Sequence, residues 1–388
     1  MTNRQYIRQY DLRALMAHGA TCTCPSCNPP QGGAGGVTLL ADANFDNRFR
    51  RIPAPMEDDF LKRLHGGKWK ANALDAPLWR EYYSRFRQFA EAGYGKRLTG
   101  PADWLEFDLM ERLKRSASTF SGGKLATLTE ELKTLRKLPL NDFLKEGKRA
   151  VRRHHRDYLE AELQTTLASA NSAAKWRDIE KRAYLYPNLR YETAGDERVR
   201  ESHRALDGRI YPVQSTFWDT FMPPNGWRCR CIVIQTDEAP TGSEALDFEP
   251  PKGFRNNPGR TGKLVEEDHP YYNFDKPGLA AIEKGSEALR AEWETREVYQ
   301  LAEKFVGTTQ KLPGMSKAAR VNLDFISRTL SASAVERAIR NDILTVLHLL
   351  GAQATLLPLE EGTYLYSIVV GGYTFTLEVS NNLFQIIR

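Results

Sequence analysis

The chain predicts an α+β protein: a mainly helical N-terminal half, a compact central motif region, and C-terminal helices followed by a small antiparallel sheet. Three observations carry this. Large aromatic residues recur at helical spacing between Met56 and about Lys181. The stretch Tyr191–Gln235 concentrates His, Cys, Trp, Pro and Gly more densely than any other part of the sequence. The last residues alternate apolar and polar around two two-residue turns. Four segments follow: a leader and linker at 1–55, a helical region at 56–142, the central region at 143–276, and an α+β module at 277–388.

The leader carries Cys22, Cys24 and Cys27, then two prolines and a run of glycines that reads as a linker. Three thiols this close suit one zinc ion, with His18 or a distant residue as the fourth ligand; the plainer alternative is a flexible leader with incidental cysteines. In the helical region Trp79, Tyr82, Tyr83, Phe86 and Phe89 form one apolar face, and Trp104, Phe107, Leu109 and Leu113 another, both best read as core. Pro101, Ser121-Gly122-Gly123 and Pro139 are expected to break the helices, and Asn141 to cap a long helix running through Leu167. On that helix Arg149, Arg152, Arg153 and Arg156 follow the i, i+3, i+4, i+7 rule, a cationic stripe fit for phosphates or an acidic partner when it is not simply a solvated face.

In the central stretch Thr193 and Asp196 read as a capping box opening a helix from about Ala194 to Leu206, closed by Gly208 and Pro212. His203 and Asp207, four apart, then share a helix face. Phe217, Trp218, Phe221 and Trp227 surround a Pro223-Pro224-Asn225-Gly226 turn, and Cys229 and Cys231 enter a β-branched strand with both sulfurs on one side. His203, Asp207, Cys229 and Cys231 together offer two thiolates, an imidazole and a carboxylate, a closed tetrahedral set for structural zinc. The competing reading keeps His203 and Asp207 on backbone groups and packs the cysteines as small apolar residues. A single-cysteine nucleophile would be oddly accompanied by a second thiol on the same face.

The order Thr193, Asp196, Val199-Arg200, His203, Leu206-Asp207-Gly208, Phe217-Trp218, Pro223-Pro224-Asn225-Gly226, Cys229-Arg230-Cys231 resembles the phage Mu F-like head morphogenesis proteins, minor capsid components of tailed phages. Gly253-Phe254-Arg255-Asn256-Asn257-Pro258-Gly259 and His269-Pro270-Tyr271 look like that family's downstream elements. The resemblance covers about Phe143 to Phe274 and marks Thr193, Asp196, Gly208, Trp218, Pro224, Gly226 and Trp227 as structural motif residues. It implies a non-enzymatic role in head assembly beside the portal, with retention in the virion. The implied partners are the portal protein, the major capsid protein and packaged double-stranded DNA, without a membrane.

Between the motif and the C-terminal module, Glu238–Lys263 reads as an extended connector, and its NNPGRTGK lacks the spacing of a phosphate-binding loop. The last segment predicts helices to Phe305, at Lys317–Thr329 and at Ala334–Leu350, then strands at Thr363–Val370, Tyr373–Val379 and Leu383–Ile387. Some Mu F-like proteins carry toxin domains here. A rival reading is therefore a polymorphic toxin with a ribonuclease-like end using His348, Arg340, Thr376 and Arg388, although His348 lies among leucines as a core residue would.

Composition excludes other classes. Of 388 residues 41% are apolar and 27% charged, which is globular rather than fibrous or disordered, and the length suits two or three domains of roughly 100–200 residues. A net charge of +6 is too small to make a nucleic-acid protein by charge alone. The longest near-apolar run, Ile343–Ala352, falls short of the roughly 20 residues of a membrane span. Five cysteines in two close clusters favour metal in a reducing compartment over disulfides.

Overall fold

In the computed structural model the described residues are 52–67, 74–95, 104–241 and 248–305, followed by the strand segments 309–310, 319–320, 355–357, 363–370, 373–380 and 383–386. The chain divides into two compact units, Met1–Lys96 with Leu109–Ser286, and Arg97–Asp108 with Glu287–Arg388. The helices expected on either side of residue 142 therefore share one unit.

The first unit begins with α1 (Ala54–His65) and α2 (Ala76–Tyr94). Asp75 starts α2 by accepting the Leu78 N–H at 2.9 Å, and Pro77 sits in the first turn where no donor is needed. α2 buries Trp79, Tyr82, Tyr83, Phe86 and Phe89, the face that the spacing predicts. α3 (Trp104–Lys133) runs unbroken through Ser121-Gly122-Gly123, which corrects the expected interruption. The two glycines serve close approach instead. A Cβ on Gly122 would lie 2.5 Å from the Trp79 ring, and one on Gly123 would lie 2.5 Å from the Tyr271 carbonyl oxygen.

α4 (Leu140–Arg152) starts one residue before Asn141, with Pro139 at its cap position and no side-chain cap bond, so Asn141 is not the cap. At Arg153–Tyr158 the helix widens into a π segment and then continues as α5 (Leu159–Arg182). α4 packs on α1, and α5 on α2. The widened turn faces His154 and His155 inward, each 3% exposed, while Arg153 and Arg156 stay outside.

A three-stranded antiparallel sheet, ordered β2-β1-β3, closes this unit: β1 is Asn188–Glu192, β2 Ile210–Pro212 and β3 Ile232–Thr236. Leu189, Tyr191 and Val233 bury one face against Trp176 and Ile179 of α5, with Leu206, Val213, Trp218 and Met222 completing the cluster. Two of these strands lie where hydrophobic alternation is too short to announce them. The long helix expected from Ala194 to Leu206 is absent: only Glu201–Arg204, α6, is helical there, and the chain turns at Gly195 with φ +70°. Gly208 is left-handed at φ +72°, as expected, but its N–H goes to the Tyr191 carbonyl on β1, so it closes the turn onto the sheet rather than ending a helix. Beyond α7 (Phe217–Phe221), the Asn257 side chain caps a short helix, α8 (Pro258–Thr261), and a 3-10 turn follows at Pro270–Tyr272.

In the second unit β4 (Thr309–Gln310), β5 (Ala319–Arg320), β6 (Thr355–Leu357) and the three strands β7 to β9 that follow form a sheet ordered β4-β5-β9-β8-β7-β6, antiparallel except for β5 against β9. The predicted strands are β7 (Thr363–Val370), β8 (Tyr373–Ser380) and β9 (Leu383–Ile386). Val370 pairs with Tyr373 and Ser380 with Leu383, the two-residue connections that the sequence specifies. The expected helix to Phe305 is the end of α9 (Lys276–Phe305), whereas those at Lys317–Thr329 and Ala334–Leu350 lie outside the described residues. No helix among the described residues is long and apolar enough to cross a membrane.

Candidate functional site

The central motif is held by polar ties that its residue types make possible. Thr193 donates both its backbone N–H (2.7 Å) and its hydroxyl (2.9 Å) to one carboxylate oxygen of Asp207. Thr193 is thus tied across the turn rather than capping a helix, and Asp207 is exposed, its carboxylate engaged by Thr193. Asp196 is no capping-box member either. It takes a bidentate fork from Arg230 at 2.6 and 2.5 Å, which holds its carboxyl well below the usual carboxylate range. Arg200 donates to the Trp227 carbonyl at 2.6 Å, pinning the aromatic turn to the loop before α6. Within that turn Pro223-Pro224 is cis, and buried Asn225 accepts the Tyr191 hydroxyl at 2.8 Å. Trp218 is fully buried and donates to the Pro212 carbonyl, while Trp227 stacks edge-on to Phe254 and His269. Gly226, at φ +156°, faces the Arg200 guanidinium.

These ties bring His203, Cys229 and Cys231 together. Arg228 adopts a left-handed conformation (φ 56°) and donates its N–H to the Thr165 hydroxyl on α5, so the cysteines arrive from a turn and β3 starts only at Ile232. The sulfurs nevertheless converge, as two positions on one strand face would: Cys229 Sγ lies 3.7 Å and Cys231 Sγ 3.4 Å from His203 Nδ1. The three ligand atoms lie within 4.8 Å of one another, the metal-competent cluster found among the described residues, and it excludes Asp207. His203 and Cys229 are buried and Cys231 is half-buried. The neighbouring Cys231 and then His203 pull the Cys229 pKa well down against the opposing effect of burial, and Cys229 in turn holds that of Cys231 up. Met222, Pro224, Cys229 and Cys231 line a small cleft against Ser172 and Lys175 of α5.

The predicted arginine stripe is exposed, but acidic neighbours answer much of it. Arg149 pairs with Glu146 at 2.8 Å, Arg153 with Glu131, and Arg156 with Asp157 at 2.7 Å. Arg152 is exposed, and the ion pairs among the described residues do not include it.

Between these arginines lies a buried polar chain that sequence reasoning missed. His155 bridges the Tyr82 hydroxyl at 2.5 Å and the Glu57 carboxylate at 2.6 Å. Lys124, with no exposed surface, donates to Glu162 at 2.9 Å and to the His154 carbonyl at 3.1 Å; Glu162 also accepts the Tyr271 hydroxyl at 2.5 Å. Burial pushes His154 down to about 4 and lowers His155 as well. The only sequence signal was an uncharged-at-neutrality His-His pair interrupting a basic run.

Cys22, Cys24, Cys27 and His18 lie outside the described residues, as do His348, Arg340 and Arg388; Thr376 lies on β8.

Comparison with known proteins places the motif. Residues 119–234 match the family described as Phage Mu protein F like protein, a stretch that runs from the middle of α3 to β3. The chain is 35% identical over 91 residues to the Mu-like prophage FluMu F protein of Haemophilus influenzae, 24% of this chain and 22% of that protein. It is 37% identical over 65 residues to the putative capsid assembly protein F of Escherichia phage Mu, 17% of this chain and 15% of that protein. The chain thus spans about a fifth or less of the length of these relatives. No solved structure matches it.

Proposed function

We propose, from the match of residues 119–234 to the phage Mu F-like family, that the chain is a minor component of a tailed-phage or prophage head, acting in head assembly next to the portal and retained in the virion. The observation that carries this reading is where the likeness falls. It covers the second half of α3, α4, the π segment, α5 and the strands of the three-stranded sheet, and so concerns packed structure rather than an appendage. A relative over 65 residues of the chain is a putative capsid assembly protein.

In this reading the portal and the major capsid protein are the partners, and the role is structural rather than enzymatic. The face around Arg149, Arg152, Arg153 and Arg156 meets packaged double-stranded DNA or an acidic surface of a head subunit. Its ion pairs are exposed and hence weak, so a phosphate or carboxylate can displace Glu146 or Asp157 at little cost.

Quantitative mass spectrometry of purified particles and of empty proheads from the element encoding this chain tests the proposal. A few copies per particle in both are expected. Absence from both would overturn it and favour the toxin reading.

A further inference from the structure

We propose that His203, Cys229 and Cys231 bind one zinc ion through Nδ1 and two thiolates, with a fourth coordination position that opens to water from the adjoining cleft. The geometry carries this. Two ligands at ordinary zinc–nitrogen and zinc–sulfur distances, in a tetrahedron, stand about 3.6 Å apart. The two Sγ–Nδ1 separations, 3.7 and 3.4 Å, bracket that value before any ion is placed.

Hydrogen bonding serves the arrangement poorly. Nδ1 of a neutral imidazole has one in-plane lone pair and accepts from one thiol, which leaves the other to a neighbouring sulfur, a weak acceptor, whereas a cation midway serves all three donors. Charge also balances: two thiolates and a neutral imidazole around a dication leave the buried site uncharged. Binding leaves both cysteines as thiolates and the imidazole neutral, the protons that the free cluster holds on these ligand atoms pass to solvent, and no other bond changes. Asp207, the carboxylate that the sequence offers as fourth ligand, is committed to Thr193 and lies outside the cluster. Both cysteines line the cleft and Cys231 is half-exposed, so the vacant position of the tetrahedron is reached from that side.

The test uses the full chain carrying Cys22→Ser, Cys24→Ser and Cys27→Ser, so that metal held by the leader cannot be mistaken for this site. Elemental analysis of that protein, purified without chelators, is expected to give one zinc per chain. Adding Cys229→Ser or Cys231→Ser is expected to weaken binding by more than the roughly 10–100-fold that loss of a residue hydrogen-bonded to a metal ligand costs. Asp207→Asn, which preserves an acceptor for Thr193, is expected to keep the metal; its loss in that variant would overturn the three-residue assignment. Should a serine variant fail to fold, cobalt replaces zinc in the parent chain. A thiolate-to-cobalt charge-transfer band with tetrahedral visible bands is expected, and the visible bands should shift when imidazole is added. A metal-free parent whose two thiols react with a disulfide reagent at the same rate with and without zinc overturns the site. An unshifted cobalt spectrum overturns the open position.

Discussion

At the residue scale, Lys124 and Glu162 decide more than their number suggests. An ammonium with no exposed surface lies 2.7 Å from a carboxylate that is almost as deeply buried, and burial draws the Lys124 pKa down while Glu162 draws it back up. Removing one partner leaves the other charge stranded, which costs about 3–5 kcal/mol, whereas removing both leaves none. Lys124→Met should therefore lower stability by about that amount in urea unfolding, and Lys124→Met with Glu162→Leu should recover most of it. His269 gives a second residue-level expectation. Its Nδ1 accepts the Tyr271 N–H at 3.1 Å, so the ring is bound neutral, and burial pushes its pKa down to about 4. In the unfolded chain the same group titrates near 6.5, so the unfolded state takes up the proton first as pH falls. The contribution is complete above about 6.5 and is lost as pH falls toward 4, at up to roughly 1.4 kcal/mol per pH unit. His269→Asn, which keeps an acceptor for Tyr271, should flatten the pH dependence of the urea midpoint across that window; an unchanged slope would contradict the assignment.

At the element scale, α3 shows two opposing magnitudes. Replacing Gly123 by Ala should favour the helix by about 1 kcal/mol through propensity alone. The new methyl would, however, meet the Tyr271 carbonyl oxygen at 2.5 Å, a backbone atom that cannot swing aside, and such overpacking costs about 1–3 kcal/mol. The clash should win, so Gly123→Ala is expected to lower the thermal midpoint despite its better helix propensity. The same pair of glycines shows why part of the fold was hidden. Ser121-Gly122-Gly123 reads as a break when only the local chain is considered, because the partners that require a missing Cβ, Trp79 and Tyr271, are remote in sequence. The supposed helix at Ala194–Leu206 failed for a related reason. Thr193 and Asp196 have the right types for a capping box, but Asp207 and Arg230 outbid the local backbone for them. What was legible was whatever the pattern repeats often enough to fix: the apolar face of α2, the hairpins of β7 to β9, and the pairing of both cysteines with His203.

At the scale of the whole molecule, the basic face is separable from stability. Arg149 and Arg152 are exposed, so charge reversal at both should change stability by less than about 1 kcal/mol. The same variant should lower the number of copies retained per particle, and particles counted by mass spectrometry alongside melting curves of the free protein would separate the two effects. One further property of the body follows from the π segment at Arg153–Tyr158. That turn acts as a dial set between two gears: α4 meshes with α1 above it, and α5 meshes with α2 below. One residue more or fewer within it would turn everything downstream by about 100°. The Glu162 carboxylate would then miss Lys124, and the sheet-facing Trp176 would point at the wrong neighbours. The surface of this rod is free to drift in composition, but its length is fixed to the residue.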